Sequence, residues 1–163
     1  MKHLLNFGCG KDIRVGWDNV DIQKGIGINK SFDFDKFPYP LKRNYYDYVL
    51  MKQVLEHLLY PDRVLLELRE HCRDKAIIRI ETCHYTNYGA YNDMQHIHYF
   101  NEEVFKNFVD SKTLINGRKF KIKSLIVTPT RVGIFIPRYI RHLLSFFIGG
   151  LQSQIHCEYE VGK

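Results

Sequence analysis

The sequence predicts an α/β protein with a doubly wound, mostly parallel sheet of seven strands. Three observations lead to this prediction. Short apolar segments alternate along the chain with segments of helical periodicity. The sequence contains no internal repeat and no low-complexity tract, either of which would indicate another architecture. Apolar residues make up 45% of the 163 residues, so one domain, 1–163, can bury a hydrophobic core.

The first four strands are predicted from short apolar or alternating segments. Leu4–Phe7 is an apolar run that ends at Gly8, and the segment 18–22 is a second short run. Residues 32–41 alternate in polarity until two prolines interrupt them, so this third strand should leave the sheet there. Tyr46–Met51 is a stronger apolar run and is predicted to form the fourth strand.

Helical periodicity predicts three helical segments. Apolar residues recur at helical spacing in 54–72, with a break at Pro61, because proline favours the first position of a helix. Asn101 is placed as the N-cap of the segment 101–111, and two glutamates follow it in the first turn. The segment 136–152 is amphipathic and contains two glycines that should close its helix.

Three further strands are predicted in the second half of the chain, at 75–82, 119–130 and 155–161. The last two alternate between charged or polar and apolar residues, which is typical of strands with one wetter face. We therefore expect these two near the edge of the sheet, with one antiparallel strand near the C-terminus.

A glycine pair follows the first strand, and an acid ends the second. Gly8 and Gly10 let the backbone approach a ligand closely, because neither has a Cβ atom. Asp21 is placed to accept hydrogen bonds from both hydroxyls of a ribose. Ligands of doubly wound sheets bind at this edge, beyond the carboxyl ends of the strands. The three residues therefore predict a nucleoside site.

The spacing of these residues disfavours a dinucleotide. The dinucleotide fingerprint has a third glycine and an acid about 20 residues further on, whereas Asp21 comes earlier and no third glycine follows Gly10 closely. The connection between Gly10 and Asp21 is also shorter than a usual crossover helix, so the first helix should be shortened or lost. A pyrophosphate would then lack a helix N-terminus, which makes a nicotinamide dehydrogenase the weakest hypothesis.

Taken together, these segments resemble the class I S-adenosylmethionine-dependent methyltransferases. The resemblance is carried by "LNFGCG" at 5–10, "NVDI" at 19–22 and "YYDYVLMKQVLEHLLYPDRVLLEL" at 45–68. The last stretch is the most specific, because it joins an Asp-led apolar strand to Val-Leu-Glu-His-Leu and a helix. The resemblance implies a Rossmann-like fold that binds S-adenosyl-L-methionine and releases S-adenosyl-L-homocysteine.

The resemblance also implies which residues contact the cofactor. Asn6 stands where the family usually has an acid, Asp21 is the ribose acid, and Asp33 and Asp35 are the candidates for an adenine contact. The full set of cofactor residues implied in this way is Asn6, Phe7, Gly8, Cys9, Gly10, Asp21, Ile22, Asp33, Phe34, Asp35, Met51, Lys52 and Gln53.

The same resemblance places the methyl acceptor after the fourth and fifth strands. The segment 82–100 mixes aromatic and polar residues, as in a pocket for a small, partly apolar substrate. His84 is the first candidate for a general base, His96 the second, and His57 the third. A base is needed only for a hydroxyl or a protonated amine. The alternatives are ordinary loop histidines at 84 and 96, and a capping or core histidine at 57.

A metal site is a further alternative for the segment after the fifth strand. Cys83, His84, His96 and His98 are residue types that bind metal ions. Their spacing fits no zinc finger, and His96 and His98 share a face only in a strand. The sequence therefore predicts no metal site.

Charge leaves an anionic partner open. The net charge is +6, and the excess lies after Asp110. This excess is carried by Lys112, Arg118, Lys119, Lys121, Lys123, Arg131, Arg138 and Arg141, which have few acids among them. A solvated basic face is the simpler interpretation, and RNA is the alternative partner. The helix predicted in 136–152 is too short and too charged to span a bilayer, so it is a core or lid helix or, less readily, lies on a membrane surface.

Cysteine usage and the N-terminus point to the cytoplasm. Cys9, Cys72, Cys83 and Cys157 are scattered without a C-x-x-C pair, and no signal peptide is visible.

Three functional hypotheses remain. The first is methyl transfer to oxygen or nitrogen of a small molecule. The second is methylation of RNA or another nucleic acid, although Asn/Asp-Pro-Pro-Tyr does not follow the fourth strand and no Pro-Cys nucleophile is present. The third is a non-catalytic S-adenosylmethionine-binding module. The sequence identifies neither the acceptor nor the oligomeric state.

Overall fold

Seven strands form one sheet in the computed structural model, which describes residues 2–110, 119–145 and 147–163. Their order across the sheet is β3-β2-β1-β4-β5-β7-β6. The strands are β1 Leu4–Phe7, β2 Asp18–Asp21, β3 Lys30–Ser31, β4 Tyr46–Lys52, β5 Cys72–Cys83, β6 Lys119–Pro129 and β7 Gln152–Gly162. β7 runs antiparallel to both of its neighbours, and the other pairs are parallel. The predicted sheet, including its antiparallel strand near the C-terminus, is confirmed.

Three α-helices occur in the described residues: α1 Pro61–His71, α2 Glu102–Asp110 and α3 Arg138–Leu144. Pro61 is the first residue of α1, as predicted, and residues 55–57 before it form a single 3-10 turn. Asn101 caps α2, because its Oδ1 accepts a hydrogen bond from the amide of Val104 at 3.1 Å. α3 is shorter than the helix predicted in 136–152, and Phe146 of that prediction lies outside the described residues.

The first crossover has no helix. Residues 11–17 pass from β1 to β2 through turns, which confirms that the first helix is lost. Asn19 organises this connection: its side chain accepts from the amide of Arg14 at 3.0 Å and donates to the carbonyl oxygen of Arg14 at 2.9 Å. Asn6 donates to Asn19 Oδ1 at 3.0 Å and to the carbonyl oxygen of Asp12 at 2.6 Å, so buried amides hold the loop in place of a helix.

The third strand is the main correction to the prediction. It occupies only Lys30–Ser31, and residues 32–41 form a loop rather than a strand. The alternation there has another cause, because the aromatic rings of this loop pack on the core: Phe34 stacks on Phe7 with centroids 4.0 Å apart. The hydroxyl of Tyr39 donates to the carbonyl oxygen of Phe34 at 2.6 Å and secures the loop.

The register of the parallel strands brings their carboxyl ends together. Phe7, the last residue of β1, pairs with Val20 on one side and Met51 on the other, and Met51 pairs with Ile80. All four side chains are fully buried. The segments that follow β1, β2, β4 and β5 therefore leave the sheet at one edge, around a common space.

Candidate functional site

A cavity of about 950 Å³ lies at this edge of the sheet. It is lined by eight of the residues predicted for the cofactor: Gly8, Gly10, Asp21, Ile22, Asp33, Phe34, Asp35 and Gln53. The volume is at the upper end of the range for small-molecule sites. The cavity therefore lies where the sequence predicted a nucleoside site.

The glycine turn forms the floor of the cavity beside β1. Gly8 and Gly10 have φ angles of +72° and +49°, a region that favours glycine. A Cβ atom on Gly8 would lie 2.3 Å from Cγ2 of Val54, so glycine there lets the turn pack against the segment after β4. A Cβ atom on Gly10 would meet no atom within 4 Å, so this position opens on the cavity. The turn thus presents bare backbone to a ligand.

Asp21 is held at the mouth of the cavity by two backbone amides. Its Oδ2 accepts from the amide of Gly10 at 2.7 Å, and its Oδ1 accepts from the amide of Gln23 at 3.0 Å. A carboxylate has about four acceptor positions, so roughly two remain for a ligand. The hydrogen bond from Gly10 also ties the glycine turn to the acid, which makes them one rigid unit.

Asp33 and Asp35 differ in how their carboxylates are used. Asp35 accepts from the amides of Leu59 and Tyr60 at 3.0 to 3.2 Å and so fixes the approach to α1. Asp33 accepts from the amide of Asp35 at 3.0 Å and pairs with the exposed Lys36 at 3.4 Å. Asp33 therefore has more acceptor capacity left for a ligand than Asp35.

Five residues of the predicted cofactor set do not line the cavity. Phe7 and Met51 are fully buried in the core, and Asn6 holds the loop after β1. Cys9 is also buried, and this burial raises the pKa of its thiol. Lys52 is exposed at the end of β4. Their contacts with a cofactor stay predictions.

The sequence analysis missed several residues that line the cavity. The loop 22–28 covers one side of it, and Ile26 of this loop is fully exposed to solvent. Two glycines flank Ile26 shortly after Asp21, and this glycine pattern was the signal in the sequence that could have predicted a loop at the cavity. Val54 and Leu58 line the side towards α1, and Asp93 and Gln95 line the far end.

His57 and His96 meet at the far end of the cavity. His57 lines the cavity, and the ring of His96 lies edge-on to it with centroids 4.7 Å apart. Nδ1 of His57 is 3.2 Å from the carbonyl oxygen of Gln95, and Nδ1 of His96 is 2.8 Å from that of Ala90. Two of the three predicted base candidates thus lie together, and their role as bases stays a prediction.

His84, the first candidate base, lies elsewhere. It is 1% exposed and does not line the cavity. Its Nδ1 accepts from the amide of Thr86 at 3.2 Å, and its Nε2 is 3.4 Å from Oε2 of Glu102. The hydrogen bond from His84 is the main cause that lowers the pKa of Glu102 to about 2. Through these contacts His84 joins the turn after β5 to the first turn of α2. Its role as a base stays a prediction.

Three of the four residues considered for a metal site have separate partners, and Nε2 of the fourth, His98, is buried without a hydrogen-bond partner. Cys83 Sγ donates to Oε1 of Gln53 at 3.3 Å, His84 faces Glu102, and Nδ1 of His96 faces a carbonyl oxygen. The structure does not bring these side chains to one point.

Two of the five basic side chains in this region that the structure describes, Lys123 and Arg141, make polar contacts within the chain. Lys123 pairs with Glu160 at 3.1 Å, and Arg141 donates to the carbonyl oxygens of Gly133 and Ile136 at 3.0 and 3.3 Å. Lys112 and Arg118 lie outside the described residues, as does the side chain of Lys119. Within the described ranges, none of the helices has the length and apolar character needed to cross a bilayer.

Solved structures share this fold over the whole chain. A S-adenosylmethionine-dependent methyltransferase from Archaeoglobus fulgidus matches with a TM-score of 0.67 and 16% identity, over 98% of this chain and 86% of its own. The YcgJ protein from Bacillus subtilis matches with a TM-score of 0.65 and 10% identity, over 99% of this chain and 93% of its own. The cyclase SpnF matches with a TM-score of 0.67 and 13% identity, over 99% of this chain and 74% of its own.

These likenesses establish the fold. The chain has the Rossmann-like fold of the class I S-adenosylmethionine-dependent methyltransferases, as the sequence predicted. No family model and no curated protein matches the sequence itself. Because a cyclase has the same fold, the reaction has to be inferred from the site.

Proposed function

We propose that the chain binds S-adenosyl-L-methionine in the cavity at the carboxyl edge of the sheet and transfers its methyl group to an oxygen or nitrogen of a small molecule. The observation that carries the proposal is the unit formed by Gly10 and Asp21. The carboxylate keeps acceptor positions for two ribose hydroxyls, and the backbone beside it is open because Gly10 has no Cβ atom. This arrangement fits a nucleoside without phosphates.

The chain's own residues account for the remaining parts of the cofactor. The exposed apolar loop 22–28 and the partly available carboxylate of Asp33 suit the face and the exocyclic amine of an adenine. The open backbone at Gly10 would leave room for the amino-acid part. When bound, the cofactor supplies a methyl group on a sulfonium that is already electrophilic.

The acceptor end of the cavity lies beyond Gln53, where His57, Asp93 and Gln95 line the wall. This wall is polar, and we assign it to the acceptor because it consists of residues that follow β4 and β5. Holding two reactants in line supplies much of the rate of such a transfer. An unprotonated imidazole nitrogen of His57 or His96 is placed to take a proton from a hydroxyl or ammonium acceptor.

The cysteines support a reducing compartment for this reaction. All four are free thiols, and three of them are buried. Burial raises the pKa of the Cys72 and Cys157 thiols to about 12, which keeps them unreactive. We therefore assign the protein to the cytoplasm.

Calorimetry tests the cofactor directly. Titration with S-adenosyl-L-methionine and with S-adenosyl-L-homocysteine should each give one site, and titration with NAD should give none. Folded protein that releases no heat with either sulfur compound would refute the proposal.

Mass spectrometry tests the reaction. The protein is incubated with a cell extract and cofactor that has a deuterated methyl group, and products heavier by that group are sought in the small-molecule and RNA fractions. Binding without any labelled product would leave the non-catalytic module as the function. Label found only in an RNA fraction would replace the small acceptor by a nucleic acid.

A further inference from the structure

Glu56, His57 and His96 form the one group of three metal-ligating side chains found among the described residues. One ligand atom of each lies within 4.8 Å of the others. Glu56 and His57 belong to the 3-10 turn after β4, and His96 belongs to the segment after β5. The amides of Ile97 and His98 donate to the carbonyl oxygen of Glu56 at 3.0 and 3.2 Å and join the two segments.

The two histidines have the protonation that a metal ligand needs. Nδ1 of His57 faces the carbonyl oxygen of Gln95, and Nδ1 of His96 faces that of Ala90. A carbonyl oxygen only accepts, so each Nδ1 carries a hydrogen, and Nε2 is the nitrogen of each ring that is left to bind a metal ion. Within the described ranges neither Nε2 atom has a hydrogen-bond partner. Histidines that bind metal ions are oriented by this kind of bond.

Glu56 supplies an independent observation. It is 2% exposed, and its Oε2 accepts from the hydroxyl of Thr82 at 2.9 Å. Its Oε1 is buried without a hydrogen-bond partner, and it forms no ion pair with the described Lys, Arg and His residues. A buried carboxylate in this situation is unfavourable, because buried charges are normally paired or bound to a metal ion. A cation beside Oε1 would compensate for that cost.

We propose that Glu56, His57 and His96 bind a divalent transition-metal ion at the acceptor end of the cavity. One carboxylate and two imidazoles suit zinc, and three protein ligands leave a position open for an exchangeable ligand. His57 lines the cavity, so an ion held by it would lie beside the space assigned to the acceptor.

The distances require a modest contraction. Two ligands about 2.1 Å from a zinc ion at the tetrahedral angle are about 3.4 Å apart. Atoms separated by up to 4.8 Å would therefore move closer by at most about 1.5 Å. His57 and His96 are only half-buried, so rotation of their side chains can provide this movement. Glu56 is fixed by Thr82 and would act as the anchor of the site.

A bound metal ion would also indicate which kind of methyl acceptor the protein uses. This inference about the acceptor rests on the proposed function. A divalent ion lowers the pKa of a hydroxyl that ligates it, so an oxygen acceptor is favoured over an amine. The hydroxyl proton passes to solvent water, the oxygen–carbon bond forms, and the methyl–sulfur bond breaks to leave a neutral thioether. His57 and His96 then serve as ligands, and no protein base is required.

Metal binding is measured on untagged protein with zinc chloride by calorimetry and with cobalt chloride by visible absorption. Wild-type protein should bind one equivalent of either ion, and cobalt should give d–d bands shifted from those of the aqueous ion. Glu56→Gln and His96→Ala should each weaken binding at least about 100-fold, since even residues that only orient a ligand account for 10- to 100-fold. His3→Ala is the matched control and should bind normally, because His3 stacks on Tyr45 before β1.

The outcomes separate this inference from the proposed function. Wild-type protein that binds neither ion, or His96→Ala protein that binds as wild type, overturns the metal site even if S-adenosyl-L-methionine binds. Metal binding that persists when the cofactor does not bind refutes the proposed function and leaves the metal site intact. Circular dichroism checks the fold of each variant, and His96→Ala still decides if Glu56→Gln fails to fold, because His96 is half-buried on a loop.

Discussion

Replacement of Asp21 by alanine is the sharpest test of the cofactor site. The change removes the acceptor of the amides of Gly10 and Gln23, at 2.7 and 3.0 Å, and any acceptor for a ribose. Both hydrogen bonds are solvent-exposed, so water can replace them, and the free energy of unfolding should fall by only about 1 kcal/mol. The variant should therefore remain folded.

The loss of affinity should be much larger. A hydrogen bond to a charged group contributes about 1.5–3 kcal/mol, and two that share one carboxylate are not fully additive. We expect binding of S-adenosyl-L-methionine to weaken by about 2–4 kcal/mol, which is roughly 30- to 900-fold in the dissociation constant. Calorimetry at several protein concentrations covers this range.

Asp18→Asn is the matched control for this variant. Asp18 begins the same strand, but its carboxylate accepts from the hydroxyl of Tyr46 at 2.8 Å, away from the cavity. This control should lose some stability and retain its affinity for the cofactor. Folded Asp21→Ala protein that binds within about threefold of wild type would show that the ribose is held elsewhere, and the reasoning would fail.

Three further changes test the fold around the site. Gly8→Ala should reduce the free energy of unfolding, measured in urea, by about 2–4 kcal/mol, because residue 8 has a positive φ angle and the added Cβ atom would clash with Val54. Adding Val54→Ala to this variant should restore part of the loss. A Gly8→Ala protein as stable as wild type would refute this prediction. Because the pKa of Glu102 is lowered to about 2, its contribution to stability is present above about pH 4.5 and is lost as the pH falls towards 2. In His84→Ala protein the free energy of unfolding in urea should therefore decrease less steeply over this pH range. A pH dependence equal to that of wild type would contradict this prediction. Tyr159→Phe should cost about 1–3 kcal/mol, because its buried hydroxyl donates to a backbone carbonyl of α2 at 2.8 Å, and a thermal melt unchanged from wild type would disprove that role.

The side of the cavity that we assign to the cofactor was predictable because it depends on short stretches of chain. Gly8 and Gly10 directly follow a strand, and Asp21 directly ends the next one. Parallel neighbours end at the same edge, so a strand assignment and a glycine pattern are enough to bring these residues together. The shortness of the connection also determined that it holds no helix.

The third strand shows where the pattern misled. Alternation over 32–41 matched a strand, but it arises because the rings of Phe32 and Phe34 both pack on Phe7 from a loop, with the half-exposed Asp33 between them. A period of two reports only that one side of an extended segment is buried. It does not distinguish a sheet neighbour from a core surface.

The sequence alone determined the order of the elements and the positions of the glycine turn and of Asp21, where we propose that a nucleoside binds, because each depends on local spacing. Only the tertiary structure decided which histidines reach the cavity. His84 directly follows β5, yet it turns inwards to Glu102, whereas His96, further along, is carried to His57. The cause is a long-range contact: two amides of the segment after β5 bond to the carbonyl oxygen of Glu56, and no local pattern encodes that pairing.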